Sequence, residues 1–160
     1  MRIVRNILLC MVLVAFASPL MAAEKPVEDM QILYENIKAD KKLLVSENMK
    51  LTEKESKGFW PVYEKYQSEL FLIRVRTVDL IKDFAASYEK MNNATAKRLI
   101  DEYLTIETLR LKLAKAYLPE FRKVLPDTKV ARYYQMENKI NAVVYHELAS
   151  QIPLVKTETP

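Results

Sequence analysis

Glycine is almost absent: Gly58 is the only one in 160 residues. Tight β-hairpin turns usually recruit residues that tolerate positive φ, so this composition argues against a meander or a sandwich and leaves helices as the economical answer. Cysteine is equally scarce, and Cys10 lies inside an N-terminal apolar run. Beyond that run the chain can form neither a disulfide nor a thiolate metal site, so its stability has to come from packing. His146 is the only histidine. Triads built on an imidazole base are therefore absent unless this one residue serves, and no partner nucleophile stands out. A di-iron bundle needs Glu-x-x-His units on two helices, whereas Val143 stands three residues before His146, so that site is excluded. The charges are also balanced, at 25 basic against 21 acidic side chains. Without Arg2 and Arg5 the excess shrinks further, so the basic pI is a weak pointer to nucleic acid, and no such partner is expected.

The one long apolar stretch spans residues 7–17, follows Arg2 and Arg5, and is broken by Ser18 and Pro19. A membrane span needs about 20 apolar residues, so the layout predicts a cleaved secretory signal over residues 1–23 rather than an anchor. Small residues for cleavage stand at Ala22 and Ala23, with an earlier option at Ala17. Residues 24–152 are then expected to form a single helical domain, followed by a flexible tail over 153–160.

Apolar residues recur at three- and four-residue steps in four segments, which predicts an all-α fold of four helices. The first covers 27–45 through Met30, Leu33, Tyr34, Ile37, Leu43 and Leu44, with 46–50 read as a connection. Thr52 and Glu55 have the spacing of a capping box and open the second, over 53–90. Its seam is the clearest pattern in the chain: Phe59, Tyr63, Tyr66, Leu70, Ile73, Thr77, Leu80 and Phe84 step by four and three, as in a coiled-coil hairpin. Pro61 predicts a kink near Trp60. Residues 91–95 supply turn and cap, after which Leu99, Tyr103, Ile106, Leu113 and Tyr117 mark the third helix, bent or interrupted by Pro119. Lys97 with Asp101 and Arg98 with Glu102 have the spacing of exposed ion pairs. Leu125, Pro126 and a capping Asp127 then lead into the fourth, with Val130, Tyr133, Ile140, Val144 and Leu148 inward. The second and third helices should form a long antiparallel hairpin with the other two packed on or across it.

Leu51-Thr52-x-x-Glu55 at a helix start resembles the Leu-Thr-x-x-Gln motif of the Spy/CpxP family of periplasmic stress proteins. Residues 121–132 are similar to its second copy, with Leu125 and Asp127 at the turn. Glu55 and Lys129 stand where the family has Gln, and Pro126 replaces Thr. Residues 59–63 and 129–139 also look like a group of small exported proteobacterial proteins, a likeness that covers most of the chain beyond the leader and assigns no activity. The Spy/CpxP resemblance implies a periplasmic protein of long helical hairpins, a thin curved homodimer that binds unfolded or envelope proteins without ATP, or a sensor domain; the residues themselves offer no catalytic machinery, and neither enzymatic activity nor a cofactor is expected.

Arg74, Arg76, Lys82, Arg98, Lys115 and Arg122 among apolar and tyrosyl neighbours suggest an amphipathic binding surface, against the plainer reading that they solubilise helix exteriors. Trp60, Tyr63 and Tyr66 are either an aromatic client-binding face or, as their seam spacing indicates, the core around Pro61. Asp79 and Asp83, one turn apart, read as two exposed carboxylates rather than a cation site. The scattered Met30, Met49, Met91 and Met136 read as packing. Two further classes remain as alternatives: a metal- or haem-binding module, for which His146 with Glu147 or axial Met30 and His146 are the available ligands, and a structural or regulatory partner of an inner-membrane protein.

Overall fold

The computed structural model describes residues 40–157, which are helical almost throughout. The signal segment, the beginning of the first helix, Met30 and residues 158–160 lie outside the described residues. We number the helices α1 (residues 40–49 as described), α2 (Glu53–Ser87, followed by the short 3-10 turn Tyr88–Lys90), α3 (Asn93–Val124) and α4 (Asp127–Gln151). No strand occurs among the described residues, and the fold is all-α.

Two compact units are distinguished, with a boundary inside α4 after Val130. The larger holds residues 52–130 and 153–157, and its framework is the α2–α3 hairpin. Partners along the hairpin descend on α3 as they ascend on α2: Phe59 meets Phe121, Glu69 meets Tyr117, Arg76 meets Glu102 and Asp83 meets Arg98. The two helices are therefore antiparallel. Burial follows the predicted seam at Phe59, Tyr63, Tyr66, Leu70 and Ile73 on α2, facing Leu99, Ile106, Leu113 and Phe121 on α3. Farther toward the turn, Thr77, Leu80 and Phe84 are only half-buried, because two helices alone cannot cover a seam from all sides. The broad end is filled by rings, with Phe59, Tyr66, Tyr117 and Phe121 at centroid separations of 5.3–6.4 Å.

Both helix starts are capped. The Thr52 hydroxyl accepts from the Glu55 amide at 3.3 Å while the Glu55 carboxylate accepts from the Thr52 amide at 2.8 Å, completing the capping box. Asn92 caps α3 by accepting from the Thr95 amide at 2.9 Å. α2 passes through Pro61, and α3 continues through Pro119 to Val124 rather than being interrupted there. Asp127 is not the cap expected of it. It is the first residue of α4, one position late, and its carboxylate accepts from Arg122 Nε at 2.7 Å. The tail after Ile152 is extended, and Lys156 reaches back to Glu89 at 2.6 Å and lies 4.9 Å above the Tyr88 ring.

In the smaller unit α1 runs against the 131–151 part of α4, also antiparallel, since Lys41 pairs with Glu137 and the Asn48 carbonyl accepts from Arg132. Helix α1 is longer than its pattern suggested. Residues 46–49 are helical rather than a connection, because Val45 and Met49, one turn apart, are both fully buried. Lys50, at φ 46°, ends it in the left-handed conformation common after helix C-termini. Leu43, placed inward by the sequence pattern, is instead exposed. Lys41 and Glu137 form a buried ion pair at 2.8 Å, and the Tyr133 hydroxyl donates to the other carboxylate oxygen at 3.1 Å.

Candidate interaction surface

The hairpin presents two unlike sides near its turn. One carries a shallow groove lined by Arg76, Asp79 and Asp83 from α2 and Arg98, Asp101 and Glu102 from α3. Its charges are matched. Arg76 grips Glu102 in a bidentate pair, with both N···O distances at 2.9 Å, and Arg98 donates to Asp83 at 2.8 Å. The expected pair of Arg98 with Glu102 within α3 is thus replaced by two pairs across the hairpin, since each side chain finds its partner on the facing helix. Lys97 does pair with Asp101 as the spacing predicted. Asp79 and Asp83 do not act together: Asp79 faces Lys82 at 3.7 Å, while Asp83 is held by Arg98.

Two positions along a helix turn a side chain by about 200°, onto the opposite side. Val78 follows Arg76 by two, and Ile100, Tyr103 and Leu104 follow Arg98, Asp101 and Glu102 by two. Val78, Ile100 and Tyr103 therefore lie away from the groove, while Leu104 and Leu111 continue the exposed stripe along the outer face of α3, in heptad step with groove-lining Lys97. Ile100, Tyr103, Leu104 and Leu111 are 53–58 % exposed and Val78 is 42 % exposed. Tyr103 was expected inward. Buried Leu99 and Ile106 form the seam, and Tyr103 falls beside it on the open face.

Cations flank the apolar stripe. Arg74 and Lys82 stand one turn to either side of Val78, and Lys115 one turn beyond Leu111. Neither Arg74 nor Lys115 enters an ion pair among the described residues. The one acid within the stripe, Glu107, is matched by Arg110 at 2.9 Å.

Other sequence-predicted residues fall elsewhere. Tyr63 and Tyr66 are 1 % and 5 % exposed and belong to the aromatic core, so they cannot serve as a client-binding face. Trp60 is half-buried against Phe59 and Tyr63 at 5.0 and 5.3 Å. Arg76 and Arg98 lie on the groove side, and Arg122 is engaged by Asp127. Leu125 is buried and Leu51 half-buried. One contact the sequence reading missed joins the starts of two helices: Lys129 in the first turn of α4 donates to Glu55 in the first turn of α2. The Lys129 ammonium and the Thr52 amide hold the Glu55 carboxyl down at about 2, against an ordinary 4.5. Burial and a hydrogen bond to Glu69 push the Tyr117 hydroxyl up to about 12.

His146 is exposed, and no group of three or more His, Cys, Asp or Glu side chains is arranged to hold a metal ion among the described residues. No described helix is long and apolar enough to cross a membrane. The chain matches no family model, no curated protein and no solved structure.

Proposed function

We propose that this is an exported, periplasmic, non-enzymatic binding protein of the Spy/CpxP type that holds partially folded envelope proteins without nucleotide. The observation that carries this reading is the open side of the hairpin, where Val78, Ile100, Tyr103, Leu104 and Leu111 form an exposed apolar stripe. An apolar stripe rimmed by polar groups marks an interaction surface. Flat apolar contact with adaptable long cations suits many sequences weakly rather than one tightly. Dimerisation of the hairpins would extend the same surface.

The test is aggregation of an unrelated, chemically unfolded protein, followed by light scattering without ATP. Suppression is expected near equimolar ratio, and Ile100→Ser combined with Leu104→Ser should reduce it severalfold while leaving the helical signal intact. Unchanged aggregation at several-fold excess of the wild-type protein would defeat the reading.

A further inference from the structure

The end of the chain returns to the hairpin. Residues 153–157 group with the α2–α3 unit, although residues 131–152, which lead to them, belong to the other. Contact is made at the hairpin turn, where Lys156 Nζ lies 2.6 Å from the Glu89 carboxylate and 4.9 Å above the Tyr88 ring. Tyr88 in turn packs on Phe84, one helical turn back, at 5.6 Å. Helix α2 has no basic residue in its last turn, where the helix dipole favours a cation, and Lys156 supplies one from 67 positions along the chain.

The clasp is built to open. Lys156 and Glu89 keep 57 % and 73 % of their side-chain surfaces exposed, and an exposed ion pair with one cation–ring contact holds weakly. Leu154, two residues before Lys156, is 91 % exposed and adds no apolar anchor. The tail is also chemically what an unfolded protein offers: Leu154, Val155 and Lys156 form an extended piece of chain, apolar and cationic by turns. It docks about three helical turns from Val78 and about two from Ile100, so a client laid along that stripe runs on toward the same turn. We infer that residues 153–157 are an internal competitor of clients: clasped by Glu89 and Tyr88, the tail occupies the turn end of the hairpin, and its release opens that end to a client. The inference rests on the proposed holding function and adds its regulation.

The test follows trypsin cleavage after Lys156 by mass spectrometry in the chain without its leader. Trypsin must take the lysine side chain into its own acidic pocket, so only the open tail is cut. Glu89→Gln should speed this cleavage about threefold, and added salt should speed it in the wild type but not in Glu89→Gln. Glu53→Gln removes an exposed pair with Lys57 at the far end of α2 and should leave the cleavage unchanged. In the light-scattering assay, Glu89→Gln and Lys156→Gln should each lower the amount of protein needed for half-suppression about threefold. These two variants change the net charge in opposite senses, so a general charge effect would move them apart. Circular dichroism checks that each variant stays helical. Cleavage indifferent to Glu89→Gln, or holding that is present yet unchanged or oppositely changed by the two variants, would overturn the inference alone. Absence of holding in the wild type and in both variants would remove the proposed function, and the inference with it.

Discussion

Gly58 lies inside α2 against the end of α3, and a Cβ there would stand 2.9 Å from both Cβ and Cγ1 of Val124. Alanine would improve helix propensity by about 1 kcal/mol, but overpacking at so close an approach costs about 1–3 kcal/mol. Gly58→Ala is therefore expected to lower the urea midpoint, and Val124→Ala in the same chain to restore part of it. Glu55 gives a pH-dependent counterpart. Its carboxyl is depressed in the folded protein, so its contribution is complete above the ordinary 4.5 and is lost as pH falls toward about 2. Unfolding titrations across that window should show a shallower acid limb for Glu55→Gln than for the wild type.

Among the elements, the α1–α4 pairing depends on a polar contact more than the hairpin does. Lys41 and Glu137 are both buried, and removing one partner strands a charge, at a cost of about 3–5 kcal/mol. Lys41→Met is expected to release α1, seen as rapid amide exchange over residues 41–49, while Lys41→Met with Glu137→Met should recover most of the protection. The hairpin itself was legible in the sequence, because one unbroken four-and-three stripe from Phe59 to Phe84 needs a partner helix of matching length, which residues 93–124 supply. The extent of α1 was not, since polar Ser46, Glu47 and Asn48 resemble a linker unless Met49 is seen to continue the turn begun by Val45. The open face was hidden for a different reason. On α3, Leu99 and Ile106 alternate with Ile100 and Leu104, giving two apolar stripes, and periodicity alone does not say which one meets α2. The cross-hairpin pairing of Arg76 and Arg98 depends on register between helices, which local spacing does not carry.

For the whole molecule, the paired charges of the groove and the exposed apolar stripe of α3 make opposite claims about where a partner should bind. A photo-crosslinking side chain placed at position 104 probes the apolar stripe, and the same group at position 102, two residues earlier and about 200° away around the helix, probes the groove. With a chemically unfolded client protein present, the cross-linked yield should be high at 104 and near background at 102. Equal yields at the two positions, or a preference for 102, would contradict the assignment of the apolar stripe as the binding surface.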